Sequence, residues 1–339
     1  MDERHTLRQE MGATLHTGDL GWHDLLRYAR EAESLGYEGF WLTEESGKEA
    51  FSILAVLSQA TQQIRLGTGI VHFYSRTPTL LAMGARTIFE LSQGRFALGL
   101  GTGGVGFMER GHGIPIERPL RRARETVEIV RGLLTSNRFS YDGEWFHIRN
   151  FRLREGPVQG KIPIYLSALN PKMAGLAARI ADGFITNWPT EESLGELRSI
   201  VLREAESVGR DPREVKILTL LMTCVDPNDE QALMAMRRGL AFYCASQHYH
   251  HIAEIFGFGS QVKKVMEVWQ TGDFAAAARL VTDAMVEKFS LTGSPDACRK
   301  RLSRMIAAGV YPIIYPLPRH DRMVEDHFTT IRLAASYLS

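Results

Sequence analysis

A chain of 339 residues that is 44% hydrophobic and 23% charged has the composition of a globular protein with ample core, which excludes disordered and collagen-like classes. Its 40 basic and 39 acidic residues are interspersed and leave a net charge of +1, so no electrostatic footprint for nucleic acid or a membrane surface is present. Cys224, Cys244 and Cys298 lie too far apart for a disulfide framework or a zinc knuckle and read as reduced, buried thiols of a cytoplasmic protein.

The polar start, Met1 to Glu10, carries no apolar leader, and no run approaches the roughly 20 apolar residues of a membrane span. From there the periodicity alternates between two and three to four. A strand is expected at Met11–His16 and a helix at Trp22–Leu35, where Leu25, Leu26, Ala29 and Ala32 share a face. Next come strand Gly39–Thr43 with an apolar helix at Phe51–Ala60, then strand Ile64–His72 with helix Thr79–Leu91. Strand Phe96–Gly101 and helix Leu120–Leu134 make the fourth pair.

Phe139–Phe151, which contains Asp142-Gly143, reads as a hairpin insertion. The alternation resumes with strand Ile162–Ala168 and helix Lys172–Ile180, then strand Gly183–Asn187 and helix Glu191–Val208. The seventh strand is Val215–Val225. A long helical stretch, Asn228–Phe289, precedes a helix at Ser294–Ala308 with Ser294 as its cap and Pro295 at its first position. Tyr311–Tyr315 is the eighth strand. Eight strands alternating with helices specify an α/β fold, a (β/α)8 barrel. The whole chain, 1–339, reads as one domain, with insertions at about 136–160 and 226–290. An open doubly wound sheet is the alternative.

Gly99, Gly101 and Gly104 match the dinucleotide fingerprint G-x-G-x-x-G. That motif requires a first strand running straight into a helix. Here three strands come before it, and Gly106, Gly111, Gly113 and Pro115 follow it. The better reading is a barrel strand whose side-chain-free end approaches a flat ligand.

In a barrel of this kind the active site gathers at the C-terminal strand ends. Those ends are His16, then Thr43, Glu44 and Glu45, then Gly69 to His72 and Gly101 to Gly103. Ser167 to Asn170, Asn187 with Trp188, and Tyr315 complete the set. Glycine, small hydroxyls and amides recur, and no metal set or strand-end lysine appears. Asn170 and Pro171 open a helix whose free amides, with Lys172, suit a phosphate. His248-Tyr-His-His251 lacks Cys or carboxylate partners at ligand spacing, so no metal is expected. Trp41, between Phe40 and Leu42, reads as core.

Gly39-Phe-Trp-Leu-Thr-Glu44, Ile64-Arg-Leu-Gly-Thr-Gly-Ile70 and Arg95-Phe-Ala-Leu-Gly-Leu-Gly-Thr-Gly103 together resemble the luciferase-like monooxygenase superfamily. Ile162-Pro-Ile-Tyr-Leu-Ser-Ala168 with Pro171, and Ala181-Asp-Gly-Phe-Ile-Thr186, extend the likeness over nearly the whole chain. Ala253–Gly259 and Thr292–Asp296 resemble the branch that uses coenzyme F420, an 8-hydroxy-5-deazaflavin. The resemblance implies a hydride-transferring oxidoreductase acting on a small-molecule substrate, and a homodimer.

It also implies a non-proline cis peptide at Gly69–Ile70 and a cofactor site at Thr43, Glu44, Gly69, Ile70, His72, Gly101, Thr102 and Gly103. Ser167, Ala168, Leu169, Asn170, Asn187 and Trp188 complete that site, with the phosphate near Asn170. Members of that kind carry Asp-His or Glu-His where this chain has Glu44-Glu45, and some carry an acid at Gly104. Glu45, Glu109 and His112 are therefore the candidate proton-handling residues. An FMN-dependent monooxygenase and a non-catalytic deazaflavin carrier are the alternatives.

Overall fold

The computed structural model describes residues 9–188, 190–223, 230–292 and 294–336. Its first half consists of β1 (Gln9–His16), α1 (Trp22–Ser34), β2 (Tyr37–Thr43), α2 (Ala50–Ala60), β3 (Arg65–Thr68), β4 (Val71–His72), α3 (Pro78–Leu91), β5 (Phe96–Gly101) and α4 (Pro119–Thr135). The antiparallel pair β6 (Phe139–Asp142) and β7 (His147–Phe151) follows. Then come β8 (Ile164–Ser167), α5 (Pro171–Ile180), β9 (Gly183–Asn187), α6 (Glu191–Glu206) and β10 (Lys216–Thr223). Five helices follow: α7 (Glu230–Cys244), α8 (Gln247–Ile255), α9 (Gly259–Gln270), α10 (Phe274–Arg279) and α11 (Asp283–Phe289). The last elements are α12 (Pro295–Ala307), β11 (Val310–Pro316) and α13 (Met323–Ser336).

The large sheet is parallel, in the order β3-β2-β1-β11-β10-β9-β8-β5-β4, and β3 also pairs with β5. That last pairing closes the sheet into a barrel and removes the open doubly wound alternative. The nine segments make eight staves, because β3 and β4 are two halves of the third. The break between them is the cis peptide Gly69–Ile70. The continuous strand expected at Ile64–His72 is thus interrupted where the resemblance implied.

Local chemistry sets the helix starts. Thr77, Asn170 and Ser294 each accept an N–H of the first turn, with proline directly behind them. Thr190 and Ser193 form a reciprocal cap on α6. Two elements differ from the sequence reading. Helix α13 was not anticipated, although its buried face (Phe328, Ile331, Ala334, Ala335) packs beside α1. A short π-helical turn, Phe107–Gly111, follows the glycine run where only loop was expected.

Three apolar regions divide the interior. The largest lies between the barrel wall and the helices. Inside the barrel, Trp41, Ala97, Tyr165, Ile185, Leu218 and Ile313 form a layer. A third cluster, including Trp188, Leu240, Tyr249, Phe289 and Tyr315, seats the helical segment α7–α11 on the C-terminal strand ends. Cys244 and Cys298 are buried, reduced thiols, as expected, whereas Cys224 lies outside the described residues. Among the described residues no helix is long and apolar enough to cross a membrane.

Candidate active site

Several of the predicted cofactor residues lie side by side at the strand ends. Strand pairing sets His72 beside Gly101 and Leu100 beside both Val71 and Leu166. The amide of Ala168 donates to the Ile185 carbonyl at 2.9 Å, joining the fifth stave to the sixth. A Cβ on Gly101 would stand 2.6 Å from Ile70 Cδ1 and 3.2 Å from Ser167 Cβ, so packing alone demands glycine there. Gly103 is different: its φ is +76°, and a Cβ would also meet His72 at 2.8 Å. Around Gly104 the space is open. The shelf therefore ends in bare backbone.

Asn170 caps α5, accepting the Met173 amide at 3.0 Å, which leaves that helix start turned toward the same rim. Trp188 adopts φ +54°, unusual for a bulky residue, and lies stacked on Phe289 with centroids 4.5 Å apart.

Glu44, expected among the cofactor residues, is held in an ion pair. Its carboxylate receives both terminal nitrogens of Arg76, at 2.6 and 2.8 Å, and the Ala50 amide at 2.8 Å. Its own amide donates to the Ile70 carbonyl at 3.3 Å, so Glu44 braces the shelf from behind. Arg76 was not singled out in the sequence, because nothing local in Ser75-Arg-Thr-Pro78 marks it.

His72 is buried, its Nδ1 lacks a hydrogen-bond partner, and Glu44 Oε1 stands 3.8 Å away. Burial pushes its pKa down to about 4, against the opposing pull of Glu44. The folded protein thus disfavours the charged imidazole, and the unfolded chain takes up the proton first as pH falls. Stability tied to His72 is complete above about pH 6.5 and is lost toward pH 4, by about 3 kcal/mol in full. His72→Gln is expected to flatten that acid limb in urea unfolding measured across this window. A wild-type-minus-variant difference that stays constant with pH would refute it.

Glu109 and His112 sit exposed on the loop beyond Gly104. His112 approaches Phe107 and His72, with ring centroids 4.9 and 6.2 Å apart, so it belongs to the shelf's outer side. Glu45 lies elsewhere. It borders a cavity of about 720 Å³ bounded by His16, Tyr315, Arg238, Tyr243 and Trp269, at the ends of β1, β2 and β11 under α7. His16 and Tyr315 were read as strand ends but not as candidates. Their role becomes visible only when β1 and β11 stand side by side. Among the described residues no cluster of His, Cys, Asp and Glu could hold a metal, and the side chains of His248 and His251 lie outside them.

A hydrogen-bonded chain links the shelf to the cavity. His16 Nδ1 is 2.7 Å from Thr43 Oγ1, and His16 Nε2 is 2.5 Å from the Tyr315 hydroxyl. Tyr243 borders the same cavity, with its ring 4.9 Å from that of Tyr249. Asn187 Nδ2 donates to the Tyr249 hydroxyl at 3.2 Å, while its Oδ1 accepts the Trp188 amide at 2.8 Å.

The family model described as luciferase-like monooxygenase matches residues 4–311 of the chain. The chain belongs to this family. Within the luciferase-like family it is 32% identical to 5,10-methylenetetrahydromethanopterin reductase of Archaeoglobus fulgidus, over 88% of the chain and 91% of that protein. It is 25% identical to an F420-dependent glucose-6-phosphate dehydrogenase of Mycolicibacterium fortuitum, over 88% and 89% respectively. Its fold matches that of the coenzyme F420-dependent tetrahydromethanopterin reductase of Methanopyrus kandleri with a TM-score of 0.84, at 23% identity, covering 95% of this chain and 97% of that one.

Proposed function

We propose that this luciferase-like protein is an F420-dependent oxidoreductase that moves a hydride between the deazaflavin C5 and a small organic substrate. The side-chain-free shelf carries the reading: bare backbone at Gly103 and open space at Gly104, beside the unpartnered Nδ1 of His72. A flat heterocycle fits such a wall, because backbone amides reach its polar edge without side chains intervening. The naming of its relatives supports F420 as that heterocycle. When bound, a deazaflavin supplies two-electron hydride chemistry, and the protein supplies position and electrostatics.

In this reading Gly101, Thr102 and Gly103 border the ring, Ser167 to Leu169 meet its polar edge, and the α5 start with Lys172 holds the phosphate. Glu44 and Arg76 keep the shelf in place. A homodimer in the cytoplasm belongs to the same proposal.

Side-by-side fluorescence titration with F420 and FMN tests it. F420 is expected to bind, and Gly103→Ala is expected to weaken it by at least about tenfold, since the added Cβ meets both a positive φ and the His72 ring. Tight binding of FMN alone would overturn the assignment in favour of a flavin monooxygenase. Binding of F420 without hydride transfer to any substrate of a broad panel would favour a carrier.

A further inference from the structure

We propose that His16 and Tyr315 form the proton-transferring pair of this site, in place of the carboxylates and His112 that the sequence suggests. The inference rests on the oxidoreductase reading above and on the polarity of the hydrogen-bonded chain.

That polarity can be worked out donor by donor. Asn187 Oδ1 is committed to the Trp188 amide, which turns the Asn187 NH2 toward Tyr249. At the other end, Thr43 Oγ1 donates to the Leu15 carbonyl at 3.2 Å, leaving its lone pairs for His16. With Thr43 donating to Leu15, His16 would carry its hydrogen on Nδ1 and present a bare Nε2. The Tyr315 hydroxyl, 2.5 Å away, then donates to that nitrogen. In this arrangement the donors run one way, from Tyr315 to the carbonyl of Leu15. Burial holds the Tyr315 hydroxyl well above its ordinary pKa, so it stays protonated at neutral pH and works only by passing one proton on while receiving another.

Both residues border the cavity, on the side where Glu45 and Asp19 also face it. Arg238 and Tyr243 face it from α7, and Arg319 and His320 from the segment after β11. Glu45 Oε1, 3.9 Å from His16 Nδ1, is placed to stabilise an imidazolium from the solvent side. It is half exposed, which suits a supporting charge better than the donor itself.

The step balances as follows. With F420 bound and a substrate carrying C–H and O–H on one carbon, the cofactor would take up the C–H electron pair as hydride while the O–H pair became the carbonyl π bond. The hydroxyl proton passes to the Tyr315 oxygen as the Tyr315 proton passes to His16 Nε2. The reverse reaction returns it. Substrates bearing N–H follow the same course.

His16→Asn and Tyr315→Phe test the pair in the full-length protein with F420 bound. Both variants are expected to bind F420 within about twofold of wild type while kcat/KM falls by about 100-fold, the scale of lost general acid–base assistance. The acid limb of the wild-type dehydrogenation profile is expected to vanish in His16→Asn. Histidine-labelled NMR of the cofactor-free protein supplies a second readout: an Nδ1–H tautomer in wild type, with the Nε2 resonance displaced in Tyr315→Phe. Normal F420 binding with an unchanged pH profile in His16→Asn, or an Nε2–H tautomer in wild type, overturns the pair and leaves the oxidoreductase reading standing. Failure of wild type to bind F420 overturns both.

Discussion

Gly99→Ala is expected to destabilise the protein by about 4 kcal/mol or more, enough to leave little folded protein. An added Cβ would stand 2.0 Å from the Thr68 carbonyl oxygen and 3.1 Å from Ile185 Cδ1. The first contact is with backbone of the neighbouring stave, and that stave is fixed: Thr68 Oγ1 accepts the Gly99 amide and donates to the Gly99 carbonyl, both at 2.8 Å. Relief would require parting β3 from β5, the pairing that closes the barrel. Gly67→Ala makes a useful contrast. There the Cβ would lie 2.4 Å from the Trp41 ring, which Gly12 and Gly39 also crowd. Trp41→Leu should therefore restore much of the stability lost in Gly67→Ala and none of that lost in Gly99→Ala. Urea unfolding of the four variants separates the cases, and rescue of Gly99→Ala by Trp41→Leu would contradict the account.

The same contacts show how much the sequence disclosed. Strand Phe96–Gly101 was legible to the residue, because an apolar face alternating with a small one has a period that no helix shares. The small face was read two ways, as a crowded interior or as a ligand wall. Ala97 and Gly99 belong to the interior, whereas Gly101 stands at the strand end, where a Cβ would meet Ile70. Only Gly103 needs glycine for its backbone conformation as well.

Helix α13 escaped notice because its apolar positions are diluted by Glu325, Asp326 and His327. The last two are buried through specific pairing, Asp326 with Arg319 and His327 with the Met323 carbonyl. Composition cannot reveal such pairing. For the same reason the site was only half legible. Residues within one strand end could be found by their types. His16 with Tyr315 and Glu44 with Arg76 depend on staves or loops distant in sequence, and single-chain periodicity carries no signal for either.

The Glu44–Arg76 pair yields the second large effect. Arg76→Met removes both guanidinium bonds to a carboxylate that is 8% exposed and leaves it the Ala50 amide, at an expected cost of about 3–5 kcal/mol near neutral pH. Glu44→Gln should cost less, because the freed guanidinium keeps Glu49, 2.7 Å away and partly in solvent. Replacing both, as Glu44→Leu with Arg76→Met, should recover part of the loss, since an apolar pair leaves no buried charge behind.

His72 gives the loss a pH dependence whose sign is fixed by geometry. In wild type Arg76 disfavours a proton on His72 and Glu44 favours it. With Arg76 gone, the carboxylate 3.8 Å away has His72 as its nearest cation once the ring is protonated. The folded variant then binds a proton at a higher pH than folded wild type does. Its deficit should accordingly shrink as pH falls from 7 toward 5. Paired urea titrations at the two pH values measure this directly. A deficit that is unchanged or larger at pH 5 would mean that His72 does not sense the Glu44 charge, and that the brace and the shelf are electrostatically separate.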